Sequence, residues 1–392
     1  MSLSSMLLSS QPHAIASLPH MLVQVSLCLM VDAESACQKV ELACGHQSIE
    51  KKASKEVAMR EKPAIADELL RDILQDQYGL IPVTLEFLPV GLDYHAGVYR
   101  VVSEQGSAYL LKVTSRPLYE ARYLVPRYLN DAGITSVVAP LPAKSGTLWT
   151  KRGEWTMILY PFIEGDSSLT GMTNEQWREL GNIFKQIHQT PVPSGGLGSL
   201  RRETFDVTEY VLWIHDFEAQ HLHAEYGRST AERALLDDWL GHQSTIHRAV
   251  NSLQKLAGVL RKQSGPYVFC HADLHPHNLI RDDAGHVFVI DWDDVMLAPK
   301  ERDFIFVREP QADAFWEGYG QPEIDWVALT YYRWERVVQD IIECARDMFF
   351  KDDVGEESRA DIAGLFHKIF LEDISTLHHV YSAAAHLPED LC

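Results

Sequence analysis

The stretch that most limits what this chain can fold into runs from Val268 to Asp294. It opens with the apolar Val268-Phe269-Cys270, passes through His271-Ala272-Asp273-Leu274-His275-Pro276-His277-Asn278, and returns to the apolar Leu279-Ile280. Asp282-Asp283-Ala284-Gly285 then supplies a turn, and Val289-Ile290 lead into Asp291, thirteen residues beyond Asn278. Apolar runs separated by an Asp/Gly turn predict a hairpin. A polar loop before its first strand and an Asp at the end of its second bring Asp273, Asn278 and Asp291 to one end of that hairpin. One carboxylate to orient a hydroxyl and accept its proton, with an amide and a second carboxylate to hold a divalent cation on phosphates, is the set that phosphoryl transfer from ATP requires. The plain alternative is a His- and Asp-rich surface loop, and four polar residues at these spacings between apolar strands argue against it. His271, His275 and His277 also suggest zinc, but a loop interrupted by Pro276 gives three histidines no convincing ligand geometry.

Upstream of this unit the pattern is that of a small antiparallel sheet. Ala64–Gln77 carries Ile65, Leu69, Ile73 and Leu74 at helical spacing and stops at Tyr78-Gly79. Strand-like runs follow at Val83–Val90, Gly97–Val102 and Ala108–Val113. Next come a helical run at Tyr119–Asp131 and two more strands, Thr147–Thr150 and Trp155–Tyr160, around Lys151-Arg152-Gly153-Glu154. Beyond Tyr160-Pro161-Phe162 the chain turns helical. Thr173 and Gln176 read as a capping box, and Trp177, Leu180, Phe184 and Ile187 follow as one apolar stripe. Residues 203–262 and 324–350 are also helical in pattern. The expected architecture is α+β and bilobal: 59–160 as a five-stranded antiparallel lobe, 161–392 as a mainly helical lobe holding the catalytic loop.

Within the first lobe, Lys112 interrupts the apolar strand Tyr109-Leu110-Leu111-Lys112-Val113, and Glu120 follows eight residues later at the start of a helix. A lysine aimed at phosphates and fixed by a helix glutamate suits the same chemistry; the ordinary reading is a lysine on a solvated strand face. Gly91, in the turn between the first two strands, is a candidate phosphate-covering residue although the turn is not G-x-G-x-x-G. Tyr160 and Phe162, at the lobe junction, are candidates to meet an adenine edge through their backbone. Pro161 has no N–H, so the donor is expected from a neighbour such as Phe162.

The chain has 392 residues, 46% of them hydrophobic and 23% charged, enough to bury a large core. Its formal charge of −20 disfavours nucleic acid as a partner, because phosphate neutralisation needs a basic surface, and is compatible with a cationic small molecule. No run of eighteen apolar residues exists, so no membrane span is expected. The six cysteines form no CxxC pair, and Cys37, Cys44 and His46 match no common zinc spacing; reduced thiols in a cytoplasmic protein are the expectation.

Taken together, His271–Asn278, Asp291, Lys112, Glu120 and the order of the lobes resemble the aminoglycoside phosphotransferase family, which has a protein-kinase-like fold. Gln176-Trp177-Arg178-Glu179-Leu180-Gly181, Gln186-Ile187-His188, Ile290-Asp291-Trp292-Asp293, Met296 to Asp303, Glu317-Gly318-Tyr319-Gly320 and Tyr331 to Val338 resemble its spectinomycin phosphotransferase branch. The resemblance covers Met59 to about Phe350. It implies Asp273 as catalytic base, Asn278 and Asp291 as Mg²⁺ ligands, Lys112 with Glu120 as the clamp on the phosphates of ATP, and Asp303, with His271, as structural near the site. Asp293 and Asp294 are candidates for a cationic substrate, the alternative being a solvated acidic turn. Arg302 and Arg333 are expected to form ion pairs. The implied activity is ATP- and Mg²⁺-dependent transfer to a hydroxyl of an aminocyclitol or aminoglycoside antibiotic, giving resistance. A metabolic kinase acting on choline, homoserine, a fructosamine or a Ser/Thr side chain uses the same loop, and a pseudokinase-like binding module is a third reading that the intact polar set argues against.

Residues 1–31 contain no Lys or Arg and no unbroken apolar centre, unlike a secretory signal. Lys55-Glu56-Val57-Ala58-Met59 can be encoded AAG-GAG-GTN-GCN-ATG, a purine-rich ribosome-binding site before a start codon. Residues 1–58 are therefore expected to be an upstream extension or a mis-called start, with translation beginning at Met59, the alternative being a genuine but poorly ordered N-terminal arm. The gene's nucleotide sequence checks this: the purine run is expected, and synonymous codons that lack it remove the basis for the expectation.

Overall fold

The computed structural model describes residues 62–89, 96–167, 171–222, 229–263, 265–308, 310–351, 355–371, 376–389 and 391. Residues 1–58 and Gly91 lie outside them.

Five strands form one antiparallel sheet: β1 (Pro82–Leu88), β2 (Ala96–Ser103), β3 (Ala108–Thr114), β4 (Thr150–Arg152) and β5 (Trp155–Pro161), in the order β1-β2-β3-β5-β4. The β4 strand is shorter and later than the expected Thr147–Thr150, because Arg152 pairs directly with Trp155 around a two-residue turn in which Gly153 takes a positive φ of 59°. One face of the sheet buries Tyr99, Val101, Leu111, Val113, Met157 and Leu159 against α1 (Asp67–Ile73), which continues into a π-type turn at Leu74–Tyr78. Alternation sends the other residues of β3 and β5 to the opposite face. There Ile158 packs with Tyr123 of α2 (Ala121–Asp131) and with Leu148. Lys112 pairs in register with Ile158, so it emerges on this covered face rather than into solvent.

The remainder is mainly helical. Thr173 caps α3 (Asn174–Gln189) with the capping box that its sequence predicts, and Leu180, Phe184 and Ile187 are buried. Ser229 makes a second capping box at the start of α5 (Thr230–Leu260), which follows α4 (Thr208–His221). These helices pack on α7 (Trp326–Phe350), and α8 (Glu356–Lys368) and α9 (Thr376–Ala384) close over it. The unit that carries Asp273, Asn278 and Asp291 consists of two small antiparallel pairs. One joins β6 (Val268–Cys270) to β9 (Met296–Ala298), the other β7 (Leu279–Arg281) to β8 (Val287–Val289).

Two glycines fix how closely α3 meets α6 (Ala312–Tyr319). A Cβ on Gly181 would stand 2.1 Å from the Phe315 carbonyl oxygen, and one on Gly318 would stand 1.8 Å from that of Arg178. Both distances are far inside van der Waals contact and both obstacles are backbone, so a methyl group at either position must drive the helices apart. Gly318→Ala is expected to cost about 2 kcal/mol or more of stability in urea melts, at the upper part of the range for overpacked cores. An unchanged midpoint would show that the two helices do not need this approach.

Candidate active site

The loop that carries Asp273 is held from below by one carboxylate. Asp303, fully buried in a 3₁₀ turn at Lys300–Phe304, accepts the backbone N–H of His271 at 3.0 Å and that of Ala272 at 2.8 Å. Ala272 has φ of 70°, a left-handed conformation that a residue with a Cβ adopts only when its surroundings impose it. Asp303 is itself held by His188 of α3, whose Nε2 lies 3.0 Å from it while Nδ1 lies 2.9 Å from the Tyr319 hydroxyl of α6. His271 directs Nε2 to the Ile290 carbonyl at 2.8 Å, tying the loop to β8. The three histidines of the loop therefore do not converge on a metal: His271 points to backbone, and His275 Nε2 lies 3.4 Å from Asp273.

Asp273 is buried yet surrounded by positive charge. Burial opposes its ionisation, but His275, Arg336 and His271 outweigh that and hold its carboxyl below the ordinary range. Arg336 of α7 approaches Oδ1 to 3.5 Å and continues to Asp340 at 3.0 Å. Asn278 donates from Nδ2 to the Asp273 carbonyl at 2.9 Å and lies 3.4 Å from its Oδ2. The backbone carbonyl of Asn278 accepts from Ile290 N–H at 2.9 Å, which sets Asn278 beside the residue preceding Asp291. With its amide nitrogen committed to Asp273, Asn278 offers a carbonyl oxygen and Asp291 a carboxylate. An all-oxygen donor pair of this kind fits a magnesium ion that fills its other positions with phosphate and water.

Lys112 is held differently from the sequence-based expectation. Its ammonium lies 3.2 Å from Asp291 and 3.0 Å from Asp293, across the junction between sheet and helices. Glu120 instead stands at the N-terminus of α2 with its side chain against Gly198. The charge from α2 that does reach this centre is Arg122, 4.0 Å from Asp293. Asp293 is thus a buried carboxylate paired with Lys112 and Arg122 rather than part of a solvated acidic turn. Burial raises its pKa, but Lys112, Arg122 and Arg116 overcome burial and hold it ionised to very low pH. Asp291 has φ of 60°, so the backbone turns sharply there and lets Asp291 and Asp293 face the same lysine. Sequence reading assigned no role to Arg122, Arg336 or His188, because the carboxylates they bring to this centre, Asp293, Asp273 and Asp303, lie more than sixty residues away in the chain.

At the lobe junction Phe162 N–H donates to the Ala108 carbonyl, at 3.4 Å, so it is not the donor turned to the cleft. Because Tyr160 pairs with Leu110 on the same side, alternation turns the Pro161 carbonyl and the Ile163 N–H to the other edge, which β4 does not reach. Beside Asp273 a recess is lined by Asp294, Glu335, Arg336 and Gln339. Burial pushes the Asp294 carboxyl up to about 6; Arg201 opposes the rise, and Asp273 and Asp293 add to it. Arg302, in the same wall, forms the expected ion pairs, at 3.2 Å to Glu203 and 2.8 Å to Glu335. Arg333 does not: it donates to the carbonyls of His379 and Val307.

The phosphotransferase enzyme family matches residues 86–332. No curated protein gives a match. Among solved structures, the chain is similar to spectinomycin phosphotransferase APH(9)-Ia in complex with ADP and spectinomycin, with TM-score 0.73 and 28% identity over 82% of this chain and 99% of that one. The AMP-bound complex of the same enzyme gives 0.68 and 27% over 80% and 98%. Amicoumacin kinase hAmiN gives 0.52 and 17% over 78% and 93%, a likeness of fold.

Asp294 yields a test of these electrostatics. Its folded pKa of about 6 stands above the ordinary 3.8. Between those values the native state holds the proton more tightly, so stability falls as pH rises through this window and stays lower above it. Asn mimics the protonated acid at every pH. Asp294→Asn is expected to match the parent near pH 4 and to exceed it by about 2 kcal/mol at pH 8, read from denaturant melts across pH. A difference independent of pH would show that Asp294 is not held protonated by its surroundings.

Proposed function

Since the chain belongs to the phosphotransferase enzyme family, we propose that it transfers the γ-phosphate of ATP to a hydroxyl of a small cationic acceptor, with spectinomycin or a related aminocyclitol the first to test. The reading includes antibiotic resistance as the physiological outcome and the cytoplasm, where ATP is available, as its place of action. What carries it is the position of Asp273: an ionised, buried carboxylate opening onto a recess lined by Asp294 and Glu335, with the Lys112–Asp291 pair nearby. The 28% identity to spectinomycin phosphotransferase over nearly all of that chain favours the aminocyclitol within this class.

The chemistry asks little covalent work of the protein. In a loose phosphoryl-transfer transition state the attacking hydroxyl keeps its proton until late, so its partner need only be ionised and correctly placed. Asp273 meets both conditions: His275 and Arg336 keep it a carboxylate, and Asp303 fixes the backbone from which it projects. A base with a depressed pKa is weak, so Asp273 acts chiefly by orienting the hydroxyl and receiving its proton as the new O–P bond forms and ADP departs. Lys112, tethered by Asp293, supplies positive charge for the phosphates, and the Pro161 carbonyl with the Ile163 N–H offers the adenine an acceptor and a donor. Magnesium, held by Asn278 and Asp291, would neutralise charge on the phosphates when bound. An amine on the acceptor would meet Asp294, which lines the recess, while Glu335 is held by Arg302 and Tyr331.

Asp273→Ala is expected to lower kcat by about 10³-fold or more while leaving nucleotide affinity nearly unchanged, as measured by coupled ADP release and by calorimetry with a non-hydrolysable ATP analogue. Retained turnover would remove Asp273 from its role. Spectinomycin-dependent ADP release with a phosphorylated product by mass spectrometry is the expected result on a panel of spectinomycin, other aminoglycosides, choline and homoserine. Turnover with choline or homoserine alone would move the acceptor to metabolism.

A further inference from the structure

A second cavity, of about 700 Å³, shares no lining residue with the recess at Asp273. It lies between the segment that follows Asp303, helix α6, the first turn of α7 and helix α9. Its volume falls within the range of sites that enclose small molecules. Phe304, Trp316, Ile324, Trp326 and Leu329 form an apolar part of its wall, and the rest is polar, with Arg308, Arg333, His378 and His379. Phe304 and Trp316 meet edge to face at 5.0 Å, and Trp326 stacks on His386 at 3.8 Å, so the planar surfaces are held in place by neighbours.

The polar part of the lining includes two arginines. Arg333 is only 8% exposed, donates to the His379 carbonyl at 2.8 Å and the Val307 carbonyl at 3.4 Å, and leaves Nε without a partner. Arg308 donates from Nη1 to His379 Nε2 at 2.8 Å, which requires that ring to be neutral with its proton on Nδ1. Among the described residues no carboxylate pairs with either guanidinium. The contrast with Arg302 is direct, for that equally buried arginine has both Glu203 and Glu335. Burial and the neighbouring Arg308 pull the Arg333 guanidinium down to about 10, and burial with both arginines holds His379 down at about 4. Two neighbouring arginines, one buried and one half-buried, with no carboxylate paired to them among the described residues are costly, and an anion beside both guanidinium groups would relieve that cost.

We propose that this cavity is a second binding site, for a small organic anion whose acidic head is held by Arg308 and Arg333 and whose planar apolar body lies against Trp316 and Trp326. Head and body are both required by the lining: arginines alone would take a free inorganic anion, and the tryptophans alone would take any neutral aromatic. The site is independent of which acceptor the phosphate centre uses.

Two fluorescent probes of nearly the same shape separate these terms. Anilinonaphthalene sulfonate carries the charge, and phenylnaphthylamine lacks it. Each is titrated into the full chain with a saturating non-hydrolysable ATP analogue to occupy the nucleotide cleft. The sulfonate is expected to bind at one saturable site and more tightly than the amine. Arg308→Gln should weaken the sulfonate about tenfold or more, the effect of losing a charge-assisted contact, and leave the amine unchanged. Ser382→Trp, at an exposed position of α9 that lines the cavity, should abolish binding of both probes by filling the space. Asp273→Ala should change neither. Arg333→Gln is a further arm; if burial of that residue prevents folding, judged by circular dichroism, Arg308→Gln and Ser382→Trp still decide. Equal affinity for the two probes, or a sulfonate affinity untouched by both of those variants, would overturn the proposal.

Discussion

Asp303 is where the loop that carries Asp273 acquires its shape. Its two oxygens accept two consecutive backbone N–H groups, of His271 and Ala272, and that pairing is what makes the left-handed conformation at Ala272 affordable. The carboxylate depends in turn on His188, and His188 on Tyr319, so a loop near the middle of the fold is registered against helices α3 and α6. Those helices can supply both groups because Gly181 and Gly318 let their backbones touch. The chain of dependence thus runs from two missing side chains, through one buried histidine, to the position of the Asp273 carboxylate.

A second dependence joins the sheet to the helical part. Lys112 reaches from β3 to Asp291 and Asp293, which follow β8, and Arg122 of α2 reinforces the link. In this partly buried setting the attraction within an ion pair is stronger than on the surface, and the cost of desolvation offsets it. Its value here is positional: one lysine on a covered strand face reports to two carboxylates made adjacent by the positive φ at Asp291. The same centre therefore brings an ammonium group and two carboxylates together at the junction of sheet and helices.

Charge is distributed unevenly across the helical part. The recess near Asp273 gathers Asp294, Glu335 and, behind Arg336, Asp340 and Glu343, whose carboxyls burial pushes up. The separate cavity under α9 has the opposite character, with Arg308 and Arg333 and no carboxylate paired to them among the described residues. Net charge conceals both, since −20 over the whole chain says nothing about where a pocket turns basic.

The strand–loop–hairpin unit from Val268 to Asp291, the antiparallel sheet before it, the helices after it and the capping box at Thr173 were all legible in the sequence. Each depends on local periodicity, turn residues or spacing within some twenty residues, and local chemistry is what a sequence displays. The partner of Lys112 was not legible: Glu120 was near in the chain, but the fold brings Asp293 to the lysine. Nor could the sequence tell that the Phe162 N–H pairs with Ala108, since that follows from the register of β3 against β5. Arg302 and Arg333 look alike in the sequence, and only tertiary packing gives the first two glutamates and the second two carbonyl groups. The sequence by itself determined the elements and the chemical kit. Which charges meet was decided by the tertiary structure, because contacts between residues far apart in the chain depend on helix approach and strand register, and no local pattern encodes those.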